Sequence, residues 1–216
     1  MATLTNNSIR SGILLALFAL IGTALLSFTH DSTRDRIASN ERDALLKNLH
    51  KIINPNMHDN DLYTDNITVT NEKLLGTSDP VTVYRARMRG KNIAAVFSSI
   101  APNGYSGTIK LLVGISRNGT LTGVRVVSHK ETPGLGDAIE VERSNWILSF
   151  DQKSLINPDI KNWRVKKDGG DFDQFTGATI TPRAIVKAVK NTLVYYKNHQ
   201  QEVFADTTSI SGQFHE

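Results

Sequence analysis

Residues 108–129, TIKLLVGISRNGTLTGVRVVSH, carry the clearest fold signal in the chain. Two runs rich in branched apolar residues, 108–116 and 121–129, lie on either side of Arg117-Asn118-Gly119-Thr120. Branched residues favour strands, and Asn-Gly between two such runs is the strongest short-range cue for a β-hairpin. This stretch therefore predicts two adjacent antiparallel strands.

A second hairpin is expected just before the first. Residues 82–88 and 93–100 have the composition of strands and flank Arg89-Gly90-Lys91-Asn92. Pro102-Asn103-Gly104 then turns the chain towards the next strand. The four strands together predict an antiparallel meander. Residues 57–80, which precede it, are polar and show little pattern.

Helical patterns lie beside the predicted meander. A last helix is expected to open at Thr181-Pro182, because Thr is a good N-cap and Pro a good first helical residue. Residues 138–150 are amphipathic. Their expected core side consists of Ile139, Trp146, Ile147 and Phe150. The predicted fold class is α+β, with one antiparallel sheet and flanking helices, preceded by a single N-terminal transmembrane helix.

The transmembrane prediction rests on residues 9–29, which contain no charged residue from Gly12 to Phe28. A bilayer core needs roughly 20 helical residues, and Arg10 can extend to the headgroups. A cleaved signal peptide is the alternative, but the apolar run is long for one and no A-x-A site follows it. The expected organisation is a tail over 1–8, an anchor over 9–29, a helical stalk over 30–55, a globular domain over 56–200 and a polar, disordered tail over 201–216.

Composition excludes several classes of site. The chain has 216 residues and no cysteine, so it contains no disulfide, no thiolate metal site and no c-type haem attachment. Its six histidines are dispersed and form no zinc-binding spacing, so no metal site is expected. The formal net charge of +4 is too small to indicate nucleic acid as a partner.

Two short loops contain the residues that are best suited to bind a ligand or to take part in a reaction. Residues 176–182, TGATITP, place three threonine hydroxyls on a turn of small residues before a helix N-terminus, where a phosphate is favoured. Residues 131–137, ETPGLGD, combine a Pro133-Gly134 turn with Gly136, which permits close backbone approach. Read separately, the first can be a simple helix cap and the second an ordinary surface loop.

Taken as a pair, these loops resemble the FMN-binding domain of membrane redox complexes. The pattern Asp-x-x-Thr/Ser-Gly-Ala-Thr matches residues 173–179 without departure. Residues 101–115 (APNGYSGTIKLLVGI), 129–137 (HKETPGLGD) and 163–184 (WRVKKDGGDFDQFTGATITPRA), with the single anchor, resemble the G-subunit family of bacterial Rnf electron-transport complexes.

The resemblance implies a covalent FMN, joined through its phosphate to the hydroxyl of Thr179 by a phosphoester, and an FMN-binding domain over 56–200. It implies that Asp173 belongs to the flavinylation motif. The remaining cofactor-binding residues it implies are Thr176, Gly177, Ala178 and Thr181 in one loop, and Glu131, Thr132, Pro133, Gly134, Leu135 and Gly136 in the other. The implied partners are the other members of the complex and a flavin-attaching transferase.

The resemblance also implies an inner-membrane protein whose soluble domain faces the periplasm. The cations beside the anchor give no support for that orientation, since Arg10 lies on one side and three arginines lie on the other. The implied function is electron relay through FMN with no catalysis by the chain alone, and a GxGxxG nicotinamide fingerprint is absent.

Three other functions stay open at this point. One is the C subunit of a sodium-translocating quinone reductase, which shares the flavin domain and the anchor. Another is a flavin-free scaffold tethered to the membrane. The last is an anchored hydrolase with Thr179 or Ser106 as nucleophile, for which the sequence places no His–acid pair.

Overall fold

The computed structural model describes residues 2–205, with side chains from residue 10 onward. Two compact units lie on either side of the Leu45–Leu46 boundary. Helix α1, Ala2–His50, forms the first unit as far as Leu45, and its last five residues belong to the second. Residues 2–8, expected to be a tail, are part of this helix. Its apolar part has a mean hydropathy of 2.2 and is unburied, and no other helix among the described residues is long and apolar enough to cross a membrane. The prediction of a single N-terminal helix that is long and apolar enough to span a membrane is confirmed.

The second unit is built on a five-stranded antiparallel sheet in the order β1-β2-β3-β4-β5, which confirms the α+β class and the predicted meander. Its strands are β1 Asn66–Val69, β2 Val81–Met88, β3 Lys91–Ala101, β4 Ile109–Ser116 and β5 Leu121–Ser128. Strand β1 lies in the segment that shows little sequence pattern. Its four residues are too few to reveal an alternation, and its place is set by pairing with β2.

Two further helices complete the second unit, α2 Glu72–Leu75 and α3 Ile180–Val203. The α3 boundaries correct two expectations. The helix begins before Thr181, whose side chain is fully buried and cannot cap it, and it continues past residue 200. Residues 206–216 of the expected tail lie outside the described range. Short 3₁₀ helices connect the other elements at Pro55–Met57, Asp137–Ile139, Asn145–Phe150, Ile160–Asn162 and Lys166–Asp168.

Helix α3 covers one face of the sheet. Its apolar residues recur at helical spacing, and three of them, Ile185, Val189 and Leu193, are fully buried. Phe97 of β3 meets the ring of Tyr195 edge-on, with ring centroids 6.0 Å apart. Burial of this kind contributes roughly 25 cal/mol per Å² of apolar surface. It fixes the helix, and with it the loop that precedes the helix, against the strands.

Residues that follow α1 cover the opposite face of the sheet. Ile52 packs against β4 at Gly114, which pairs with Gly123 of β5. A Cβ at position 114 would lie 2.2 Å from Cγ2 of Ile52 and 2.3 Å from Oγ1 of Thr122, so only glycine fits. At position 123 the nearest atoms lie 3.6 Å away, which is ordinary contact. Both faces of the sheet are thus buried.

This packing predicts different outcomes for alanine at the two paired glycines. Gly114→Ala is expected to lower the free energy of unfolding by roughly 1–3 kcal/mol through overpacking. Gly123→Ala is expected to be neutral or stabilising, because alanine loses less backbone entropy on folding. Denaturant unfolding of the full chain in detergent, followed by tryptophan fluorescence, measures both. Equal effects of the two substitutions would contradict the close packing of Ile52 on β4.

Candidate functional site

Three loops meet at one edge of the sheet because the strands are antiparallel. Ala101, where β3 ends, pairs with Ile109, where β4 begins, and Lys110 pairs with Ser128 at the end of β5. The β3–β4 loop and the loop after β5 therefore leave the sheet side by side. The N-terminus of α3 reaches the same edge, and it brings the loop that precedes it.

The three loops enclose a cavity of about 360 Å³, within the size range of small-molecule sites. It is lined by Tyr105 of the first loop, by Glu131, Thr132, Leu135 and Gly136 of the second, and by Gly177, Ala178, Thr179, Ile180 and Thr181 of the third. The structure thus brings together the two loops that the sequence singled out. Tyr105 and Ile180 were missed, although both lie inside motifs that carried the resemblance.

Four of the expected site residues do not line this cavity. Pro133 and Gly134 form the outside of a turn in which the N–H groups of Leu135 and Gly136 donate to the carbonyl of Thr132, at 3.1 and 3.0 Å. Gly134 has φ +78°, so it provides the left-handed conformation that the turn needs. These two residues therefore set the course of the loop whose Thr132, Leu135 and Gly136 line the cavity.

Thr176 and Asp173, the other two, lie on the outer side of the loop before α3. The N–H of Ala178 donates to the carbonyl of Phe175 at 3.2 Å, which closes a turn with Thr176 and Gly177 at its tip. Gly177 has φ +80° at the third position, as a type II turn requires. Asp173 is exposed, and its carboxylate accepts from Lys166 Nζ at 2.6 Å.

The buried side chain of Glu131 joins all three loops. It is only 4% exposed. Its Oε1 accepts from the backbone N–H of Ser106 at 3.0 Å, and its Oε2 accepts from the hydroxyl of Thr181. A Cβ at Gly104 would lie 2.8 Å from Oε1, and one at Gly136 would lie 2.8 Å from Cβ of Glu131. Gly104 in the β3–β4 loop and Gly136 in the loop of Glu131 itself therefore leave the room that this carboxylate occupies.

A histidine holds the backbone of the same glutamate. His129 Nδ1 accepts from the N–H of Glu131 at 3.0 Å, and its Nε2 lies 2.8 Å from Oε1 of Glu140. Because Nδ1 accepts a hydrogen bond, the ring proton is on Nε2 and is donated to Glu140. No histidine bonds the hydroxyl of Thr179 or Ser106 among the described residues, so the arrangement that a hydrolase needs is not assembled.

The three threonine hydroxyls before and at the start of α3 differ in their availability. Thr181 is fully buried and donates to Glu131. Thr176 is exposed and lies outside the cavity. Thr179 is partly exposed, lines the cavity and, in the part of the chain that the structure describes, makes no side-chain hydrogen bond. Thr179, rather than Thr181, occupies the N-cap position of the 24-residue helix, so its hydroxyl lies at the positive end of the helix dipole.

Hydrogen bonds and aromatic packing hold the loop before α3 in place. The indole N–H of Trp146 donates to the carbonyl of Asp173 at 2.8 Å. Arg183 makes two hydrogen bonds to Asp168, at 2.6 and 2.9 Å, and these bonds lower the pKa of the Asp168 carboxyl. The chain is therefore held on both sides of the segment that contains the turn and Thr179. An aromatic cluster of Trp146, Phe150, Trp163, Phe172 and Phe175 packs beneath it.

Comparison with known protein families covers most of the chain. A family model described as FMN-binding domain matches residues 104–194, which include the whole lining of the cavity. A second family model, described as RnfG N-terminal region, matches residues 1–52.

Curated relatives match over nearly the full length. The G subunit of the ion-translocating oxidoreductase complex of Shewanella baltica is 50% identical over 200 residues, which cover 93% of this chain and 94% of the relative. Its counterpart from Shewanella oneidensis is 48% identical over 210 residues, covering 97% and 99%. The counterpart from Vibrio cholerae is 45% identical over 204 residues, covering 94% and 97%.

Proposed function

Because this chain belongs to the G-subunit family of ion-translocating oxidoreductase complexes, we propose that it relays electrons through one FMN attached to Thr179. At the coarser level, the chain is an FMN-binding electron-transfer component of a membrane complex. The position of the FMN, its covalent bond, the partners and the membrane orientation are the parts that we infer.

The observation that carries the proposal is the state of the Thr179 hydroxyl. Of the three threonines around the turn, Thr179 alone both lines the cavity and has a hydroxyl without a hydrogen-bond partner among the described residues. Small neighbours, Gly177 and Ala178, leave room for another protein to approach it. A phosphodiester formed here would place its negative charge at the positive end of α3, which stabilises the anion.

The cavity suits the rest of the FMN molecule. FMN supplies reversible one- and two-electron chemistry when it is bound. Three apolar side chains stand exposed around the cavity, with Tyr105 at 69%, Leu135 at 49% and Ile180 at 45% exposure. Exposed apolar groups gathered at one concave site are typical of ligand contacts. Gly136 presents bare backbone to the same space.

Attachment to Thr179 requires a separate flavin-attaching transferase and an activated donor. In a flavin dinucleotide the FMN phosphate carries a nucleoside monophosphate as leaving group. The bond from Oγ1 of Thr179 to phosphorus forms, the pyrophosphate bond breaks, and the hydroxyl proton passes to a base of the transferase. The nucleoside monophosphate departs, so atoms balance and no electron is transferred. The exposed carboxylate of Asp173 is available for recognition by that enzyme.

The chain itself supplies a single redox position. It has no cysteine to hold an iron–sulfur cluster and no c-type haem signature. Electrons must therefore arrive from and leave to centres held by other members of the complex. The quinone-reductase C subunit receives no support from the relatives named above, since they are G subunits at 45–50% identity. If the chain were a flavin-free scaffold, neither the cavity nor the free hydroxyl of Thr179 would have a role.

The attachment site is tested by substitution. Thr179→Ala is expected to abolish covalent flavin, whereas Thr176→Ser is expected to keep it, because the serine hydroxyl preserves the motif and lies outside the cavity. Intact mass of the chain co-expressed with its transferase should show the mass of one FMN less one water in wild type. In-gel fluorescence after denaturation gives an independent reading. A fluorescent Thr179→Ala variant would show that another residue carries the flavin.

The relay function predicts a limited reactivity for the isolated, FMN-loaded chain. Its flavin should be reduced fully by dithionite, yet the protein should oxidise NADH no faster than free FMN, because the chain lacks a nicotinamide fingerprint. The Thr179→Ala chain provides the flavin-free control. Rapid NADH oxidation that disappears with this substitution would make the chain an enzyme in its own right.

We also propose that the second unit faces the periplasm, as the resemblance implies. The chain has no cysteine, so a single one introduced at the exposed Ser78 has no competitor. A membrane-impermeant maleimide applied to intact spheroplasts is expected to label Ser78→Cys. It should label Thr5→Cys, on the other side of the apolar run, only after lysis. The reverse pattern would overturn the orientation.

A further inference from the structure

Glu131 presents a buried charge at the wall of the cavity. Its side chain is almost completely removed from solvent, yet it lines the space proposed for the flavin. Both carboxylate oxygens accept hydrogen bonds from neutral donors, the N–H of Ser106 and the hydroxyl of Thr181. Among the described residues no Lys, Arg or His side chain forms an ion pair with it. Its negative charge is therefore stabilised by dipoles and is not cancelled by a cation.

These contacts distinguish Glu131 from a residue that only touches the ligand. Each of its oxygens already has a partner in another element: Ser106 in the β3–β4 loop, 25 residues away, and Thr181 in the first turn of α3, 50 residues away. Gly104 and Gly136 close on it from two sides. The side chain thus holds the walls of the cavity in place, and the field of its charge still reaches the interior because burial weakens screening by water.

We propose that Glu131 is a positioning residue that joins the three loops into the flavin pocket, and that its negative charge lowers the reduction potential of the flavin held there. The proposal rests on the proposed function. Reduction adds electrons to the flavin ring, and a fixed anion beside the ring opposes that gain of negative charge. Glu131 itself takes no part in the transfer of electrons.

The two contributions of Glu131 can be separated because glutamine can retain its hydrogen bonds. In Glu131→Gln the amide oxygen accepts from the N–H of Ser106, and the amide N–H donates to the hydroxyl oxygen of Thr181, which can accept. The loops stay joined and the charge is removed. Thr181→Val is the matched counterpart: it has nearly the same shape, removes one hydrogen bond and leaves the charge in place.

The charge is tested by potentiometric titration of the FMN-loaded full chain, monitored by flavin absorbance. Glu131→Gln is expected to shift the two-electron reduction equilibrium at least about tenfold towards the reduced flavin, which corresponds to about 30 mV. Thr181→Val is expected to cause no shift in that direction. An unchanged or lower potential in Glu131→Gln would overturn the electrostatic role. An equal rise in both variants would assign the effect to loosened loops instead.

The joining of the loops is tested without any flavin. Amide hydrogen exchange of the apoprotein reports whether the N–H of Ser106 stays protected. Thr181→Val is expected to increase exchange in residues 103–107, although position 181 lies in the first turn of α3, because it weakens the shared carboxylate contact. Unchanged exchange would contradict the joining role. A wild-type chain that carries no FMN on Thr179 would instead contradict the proposed function, so the two failures are distinct.

Discussion

The geometry of the site depends on the hydrogen bonds of one buried carboxylate. Glu131 bonds the backbone of the β3–β4 loop at Ser106 and the first turn of α3 at Thr181. A buried polar group left without partners costs about 1–3 kcal/mol, so the native arrangement is the one that satisfies both oxygens. Three loops without regular structure of their own thereby acquire a defined geometry. The loop before α3 is thereby held where Thr179 lines the cavity.

The sheet makes this arrangement possible. An antiparallel meander delivers the end of β3, the start of β4 and the end of β5 to one edge, and α3 packs across the strands so that its N-terminus reaches the same edge. Both faces of the sheet are buried, so the strands form a rigid base on which the loops can be positioned. In many proteins a rigid scaffold positions the loops, and the loops carry the binding residues.

Local patterns were enough to predict part of this structure. The Asn118-Gly119 hairpin and the small-residue turn at 176–179 are encoded within a few residues, and the sequence shows them directly. The pairing of Glu131 with Thr181 joins residues 50 positions apart, and no local pattern reveals it. For the same reason Thr181 was expected to be a helix cap: propensity favours that role, but the tertiary contact with the buried carboxylate takes the hydroxyl. Strand β1 depends on its partner strand in a similar way.

An experimental density map of the FMN-loaded chain tests the central claim most directly, because it shows the covalent bond and the three loops together. The account predicts continuous density from Oγ1 of Thr179 to a phosphorus atom, with the flavin in the cavity that Tyr105 and Leu135 line. It also predicts that Glu131 still contacts Ser106 and Thr181 when the flavin is bound. Density for FMN at another hydroxyl, or a Glu131 side chain turned away from both loops, would contradict the account.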